Sequence, residues 1–178
     1  MDDVSADSSG FEDEAASVRS LDGLHPCVAR RTIELVTEGA FDVTDVTDDC
    51  LDLIASCGVQ EGTLGVFTGH TTCAVTINEP ETGLLEDLRL LLGRLIPASA
   101  YYRHNDFGIR DPETLMDEPV DEPANAHAHL AQMLLGCASA AVPIIGGRLG
   151  LGRWQRILFI ELDQARPRRV HLHIHGWR

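Results

Sequence analysis

An α+β fold is predicted, and three observations predict it. Residues 47–57, 81–96 and 124–138 carry apolar side chains at the helical period. Runs at 31–36, 63–68, 71–78, 140–145, 154–162 and 168–175 are rich in β-branched and aromatic residues or alternate in polarity. The two kinds of segment are interspersed without the regular strand–helix–strand order of a parallel α/β sheet. A mixed or antiparallel sheet with packed helices follows.

The elements can be justified in order. The folded region should open near Arg30, with residues 31–36 alternating as a strand. After the Glu38-Gly39 turn, residues 41–46 continue a sheet. Helix 47–57 has Cys50, Leu51, Ile54 and Cys57 on one face, Thr47 or Asp48 as N-cap, and Gly58 as stop. Helix 81–96 places leucines at 84, 85, 88, 91, 92 and 95 and ends before Pro97. Residues 101–123 are polar, contain three prolines, and read as a long loop of the kind that carries function. The period then returns over 124–138, and the last three β-rich runs complete the domain.

Composition bounds the function. At 178 residues the chain suits one domain with a real core. It carries 28 Asp+Glu against 14 cations, all of them Arg, for a net charge of −14. About ten lysines would be ordinary at this length. An acidic, lysine-free surface stays hydrated in concentrated salt, where self-repulsion is screened, so a salt-loving host is expected. GC-rich coding would explain the missing lysine but not the acid excess. The charge disfavours a nucleic-acid binder, and no stretch reads as a membrane span. Five cysteines form no CxxC pair and read as reduced thiols in a cytoplasm. Residues 1–25 hold seven acids and only Arg19, as a disordered acidic leader would, which leaves 26–178 as the domain. Residues 143–178 reverse the balance, with seven arginines against Glu161 and Asp163. These cations either hold an anionic ligand or pair with acids elsewhere.

Eight histidines supply the candidate chemistry. His70 lies at a break between two β-rich runs, His104 in the long loop, and His127 and His129 at a helix start. Three imidazoles with an open position could hold a catalytic metal. His127 and His129 are two residues apart on a helix, so they point about 200° apart and only one can face a common centre. His171, His173 and His175 share one face of the last strand, as a chelating pair or simply a solvent or interface face. Glu79 could orient a histidine or act as a base, or it could be an acid at a helix N-terminus. The glycine-rich stretch 146–152 is neither a Walker loop nor GxGxxG. It is a hairpin, or a loop in which Arg148 clamps a phosphate.

Four motifs then occur in order. His70-Thr71-Thr72 followed by Thr76-Ile77-Asn78-Glu79 resembles the HT[TS]xxxTxNE segment of the YjbQ/UPF0047 family. Tyr102-Arg103-His104-Asn105 is similar to its YxHx element, and Ala128-His129-Leu130 with Leu134-Leu135-Gly136 to its AH[LI]K…LLG helix. Pro143, Gly147-Arg148-Leu149 and Leu151-Gly152-Arg153-Trp154-Gln155 resemble PxxxGRLxLGTWQ. Glu161 and the 166–169 run fit the strand and PRRR-like turn that follow. Arg153 and Arg156 depart from the family's Thr and Gly.

The resemblance implies a single YjbQ-like α+β domain that assembles as a homotrimer. It also implies a secondary thiamine-phosphate synthase: a transferase joining a hydroxymethylpyrimidine diphosphate to a thiazole phosphate, with release of pyrophosphate. It makes His70, His104 and His129 catalytic groups or ligands of a divalent metal, and it selects His129 over His127. Imidazoles suit zinc or another transition metal better than magnesium, which stays possible. Glu79 joins the catalytic set, and Thr71, Asn78, Arg148, Trp154 and Gln155 become substrate-binding candidates. The partner is a small phosphorylated metabolite, with no nucleic acid or membrane. The alternatives are a metal-dependent hydrolase of a phosphorylated or acyl substrate, with Glu79 as base, or a non-catalytic metal- or anion-binding trimer.

Overall fold

The computed structural model describes residues 20–115, 123–136 and 138–178. Most of the expected leader therefore lies outside the described residues. The strands form two antiparallel sheets. The larger has the order β1 (Pro26–Val36), β8 (Pro167–Trp177), β3 (Glu61–Phe67), β5 (Ser139–Ile145), β6 (Arg148–Leu149). The smaller has β2 (Val43–Asp45), β7 (Arg156–Glu161) and β4 (Cys73–Asn78). Helix α1 (Thr47–Cys57) matches its expected span, and Gly58 ends it at φ 70°. Its N-cap is Val46 rather than Thr47 or Asp48, because Asp45 Oδ1 already accepts the Thr47 N–H at 2.9 Å. Helices α2 (Thr82–Leu95) and α3 (Ala126–Leu135) are slightly shorter than their apolar periods suggest. Glu81 caps α2 by accepting the Gly83 and Leu84 N–H groups, and Gly136, at φ 74°, ends α3. The long loop contains short 3₁₀ turns at Arg103–Asn105 and Pro112–Thr114.

The layers follow from side-chain parity. Val170, Leu172 and Ile174 of β8 face inward with Leu64, Val66, Val142 and Ile144. Across from them lie Cys73, Val75, Ile157 and Phe159 of the smaller sheet, with α1 closing the cluster through Cys50, Leu53 and Ile54. The opposite face of the smaller sheet, with Ala74 and Ile160 and with Leu162 just past the end of β7, packs with Leu92 of α2 and with Ala128 and Ala131 of α3. Strand β7 is thus buried on both faces, which explains its unbroken apolar run Ile157–Leu158–Phe159–Ile160. Where β3 meets β8, Gly62 and Gly176 are in register. A Cβ on Gly62 would lie 2.6 Å from the Gly176 Cα, so only glycine permits that approach.

Strand β1 begins at Pro26, five residues before the expected strand start at Arg31, because its whole length pairs with β8 from Pro26↔Trp177 to Val36↔Pro167. Pairing with a long partner extends a strand past the point where its own alternation is legible.

Candidate functional site

The site is built on a buried ion pair. Strand β7 carries its core run one residue further, to Glu161, which is fully buried. On β8, Arg168 shares the inward parity of Val170, so its guanidinium also enters the interior. Arg168 donates through Nε to Glu161 Oε2 at 2.5 Å and through Nη2 to Oε1 at 3.0 Å, a two-point contact. Oε1 also accepts the Asp163 N–H at 2.9 Å, and Oε2 accepts the Thr37 hydroxyl at 3.4 Å. Burial pushes the Glu161 carboxyl upward. The Arg168 hydrogen bonds, the Asp163 N–H and the guanidinium charge outweigh it and hold the group below the usual carboxylate range. The Cys73 thiol points at Oε2 from 3.6 Å. Burial and the Glu161 charge push that thiol up to about 12, so it stays protonated and is no nucleophile.

His70 stands over this pair, in the turn between β3 and β4. Thr72, two residues on, accepts from Arg168 Nη2 at 3.2 Å. The Arg169 backbone N–H donates to His70 Nε2 at 3.1 Å. That bond requires a lone pair on Nε2, so the neutral ring carries its proton on Nδ1. Burial, then the Arg168 charge, lower the His70 pKa; His171 and Arg169 add to the effect and Glu161 opposes it. A cleft of about 440 Å³ opens here, lined by His70, Arg168, Arg169, Glu34 and the β1–β8 edge. Arg169 reaches Glu34 at 3.2 Å through an exposed contact. Thr71 is exposed beside it.

His104 and His129 meet nearby. Asn105 accepts the Ala126 N–H at 3.0 Å, which ties the 3₁₀ turn to the start of α3. The His104 and His129 rings then lie edge to face, 4.8 Å between centroids. Asn125 donates to Asp163 at 3.2 Å, and Asp163 binds Arg166 at 2.9 Å. This chain of contacts links the two histidines to the Glu161 end of β7. Asn125 Oδ1 is buried there with no hydrogen-bond partner among the described residues. His127, as the helical period requires, faces elsewhere, into a cavity between α2 and α3.

The remaining candidates lie apart. Strand β4 starts beside Glu161 and ends with Asn78 opposite Arg156. Its five residue steps at about 3.3 Å span about 17 Å, so Asn78 and Glu79 sit at the far end from Cys73 and the His70 turn. Asn78 accepts the Glu79 N–H at 2.8 Å. Trp154 and Gln155 precede Arg156 at that same end. Gln155 accepts the Gly152 N–H at 2.8 Å, and Arg153 lies over the Trp154 ring, 4.8 Å from its centroid. Arg156 is engaged by Asp45 at 2.6 Å and Asp48 at 2.8 Å. Arg148 is exposed in the β5–β6 hairpin. Of the residues proposed for substrate, then, only Thr71 adjoins His70 within one chain.

The three proposed metal ligands fare similarly. Among the described residues, no three His, Cys, Asp or Glu side chains group closely enough to hold an ion. His70 Nε2 is occupied by the Arg169 N–H, which leaves His104 and His129 as a two-imidazole pair. The described residues of one chain therefore do not present a three-ligand site. His171, His173 and His175 lie exposed on the outer face of β8. His171 contacts Thr32 at 3.1 Å, and the His173 and His175 rings are 4.3 Å apart.

Residue typing alone did not single out Glu161, Arg168, Asp163 or Arg169 for the site. A signal for the first two was present: Arg168 falls on the apolar parity of β8, and Glu161 directly ends an apolar run. A charge on a core parity demands a partner.

The comparisons with known proteins agree with this architecture. Residues 31–177 match the model of the family described as UPF0047 protein YjbQ-like. A UPF0047 protein of Archaeoglobus fulgidus is 38% identical over 138 residues, covering 78% of this chain and 94% of the relative. One from Methanothermobacter thermautotrophicus is 36% identical over 149 residues, covering 84% and 93%. Among solved structures, a YbjQ-like protein of unknown function from Sulfolobus solfataricus superposes with a TM-score of 0.73 at 31% identity, covering 85% of this chain and 99% of that one. A hypothetical protein from Aeropyrum pernix gives 0.70 at 36% identity, covering 83% and 98%. In both sequence and fold, this chain belongs to the YjbQ/UPF0047 family.

Proposed function

We propose that the chain is an enzyme acting on a small phosphorylated metabolite at the Glu161 end of the fold. The reaction class is a secondary thiamine-phosphate synthase-like condensation. The observation that carries the site is the neutral, orientation-fixed His70 beside Arg169, held over the buried Arg168–Glu161 pair. The reaction class rests on the family resemblance of the motifs.

The chemistry needs a diphosphate to leave as a thiazole nitrogen forms a new bond to the pyrimidine methylene carbon. The C–O bond to the diphosphate breaks, and its electron pair departs with pyrophosphate. Groups that stabilise this developing negative charge accelerate the step. Arg169 supplies a cation that, among the described residues, is paired with the exposed carboxylate of Glu34. His70 supplies an Nδ1–H donor rather than a general acid, since its ring is neutral. Arg168 fixes the His70 turn through Thr72. Asn125 Oδ1, buried and unpartnered, suits a polar ligand group near the His104–His129 pair.

The proposal includes a homotrimer, which rests on the family resemblance; in it, another subunit would have to bring Asn78, Trp154 and Gln155 to the His70 region. A zinc-like metal is retained only as one whose ligands come from more than one subunit, and no step above is routed through it. A cytoplasmic location and the absence of nucleic-acid or membrane partners belong to the same reading. Among the described residues, no helix is long and apolar enough to cross a membrane. The hydrolase alternative, with Glu79 as base, would need the same second subunit to bring Glu79 to His70, and the family resemblance favours the condensation.

The test is turnover of the two thiamine precursors, at high salt and with metals varied. Wild type should form thiamine phosphate, and His70→Ala and Arg169→Ala should each lower kcat at least tenfold. Turnover that survives loss of His70, His104 and His129 together would remove the site from the reaction.

A further inference from the structure

The outer face of the larger sheet carries three histidines that lie outside the proposed site. Strand β8 runs between β1 and β3, so backbone pairing on both sides fixes where its side chains project. His171, His173 and His175 all point outward and are exposed, with successive α-carbons about 7 Å apart. They are not equivalent. His171 is engaged by its neighbours: Nδ1 lies 3.1 Å from the Thr32 hydroxyl, and the ring is stacked with Phe67. His173 and His175 instead lean toward each other, with centroids 4.3 Å apart. Neither of these two rings has a hydrogen-bond partner among the described residues, so their nitrogens are open to a ligand.

Their separation suits a shared ion. A metal–nitrogen bond of about 2.0–2.1 Å places each imidazole centroid about 3 Å from the metal. Two centroids 4.3 Å apart then subtend an angle of about 90° at the ion, the cis angle of square-planar or octahedral coordination. Both rings are exposed, and rotation about their side-chain bonds can aim one nitrogen of each at a common point. The positions in register leave room for this. Gly65, beside His173 on β3, has no side chain, although a Cβ there would make only an ordinary contact. A groove of about 590 Å³ runs past His173 over Gly65 and Ala141. Val28 and Thr63 flank His175. Arg30, in register with His173 on β1, opposes a cation, a charge that salt screens. No carboxylate is in register with either histidine. The donors are then imidazoles alone, which suit copper, nickel or zinc rather than magnesium or calcium.

We infer that His173 and His175 chelate one divalent transition-metal ion on the outer face of β8, copper most tightly, with water in its remaining positions. The site uses two protein ligands, so it is compatible with the lack of a three-ligand cluster among the described residues. It is separate from the His70 region and stands whether or not the proposed reaction does.

The test is titration of the full chain with Cu²⁺ at high salt, followed by calorimetry and by EPR. Wild type should bind one equivalent whose EPR spectrum shows coupling to two imidazole nitrogens. His173→Gln and His175→Gln should each weaken that equivalent by about tenfold or more, since each removes one of two ligands. His171→Gln should leave it unchanged. Ions held by the His104–His129 pair would persist in both of the first two variants and are thereby told apart. All three changes are at exposed positions, and circular dichroism checks that the fold is kept. The inference is overturned if His173→Gln or His175→Gln binds Cu²⁺ with the stoichiometry and affinity of wild type, or if His171→Gln causes the same loss.

Discussion

The two ends of the smaller sheet use the same chemistry in opposite environments. At one end Arg168 grips Glu161 with both residues almost wholly buried, at 6% and 0% exposure. At the other, Arg156 bridges Asp45 and Asp48, with its side chain 35% exposed and Asp48 81% exposed. Both are close Arg–carboxylate contacts. Only the first is shielded from water, so only there does loss of a partner leave a charge stranded in the interior. The difference shows which arginines of this acidic chain build a site. Arg156 meets the acidic surface, whereas Arg168 orders the turn that carries His70. Net charge says nothing of this distinction; burial decides it.

The comparison breaks most sharply at Arg168. Arg168→Met should destabilise the fold by about 3–5 kcal/mol, because Glu161 then stays buried without its cation. Denaturant unfolding measures it. The double change Arg168→Met with Glu161→Leu should recover most of that loss, since an apolar pair of similar volume needs no solvation.

The next effect is on pH dependence. Glu161 titrates below its ordinary value of 4.5, so its contribution is complete above 4.5 and is lost as pH falls through the folded value. His70 is also lowered, from 6.5. Between the folded value and 6.5 the unfolded chain binds the extra proton, so stability should begin to fall as pH drops below 6.5. Urea unfolding across pH should show the earlier decline shrink in His70→Gln while the later one persists.

The smallest effect belongs to the exposed end. Arg156→Ala should cost about 0–1 kcal/mol, and less in concentrated salt, where such contacts are screened. A loss comparable to that of Arg168→Met would erase the distinction between the two ends.

Much of this architecture was legible in the sequence, for local reasons. Helix α1 runs from Thr47 to Cys57 because its apolar period and Gly58 agree. The alternation of β8 places Val170, Leu172 and Ile174 inside and the three histidines outside. The divergence of His127 and His129 follows from helical geometry alone. What could not be read was distance. His70 and Glu79 share one motif, yet a strand carries them to opposite ends of a sheet. The partnership of Glu161 with Arg168 depends on how β7 and β8, in different sheets, come to face one another. Nothing local specifies that.

The most direct test of the central claim is the protonation of His70, read from long-range ¹H–¹⁵N correlations of the imidazole at neutral pH. The account predicts a neutral ring with its proton on Nδ1, unprotonated at Nε2, and an Nδ1 resonance that shifts when pyrophosphate is added. A charged ring, or a neutral one protonated at Nε2, would contradict it.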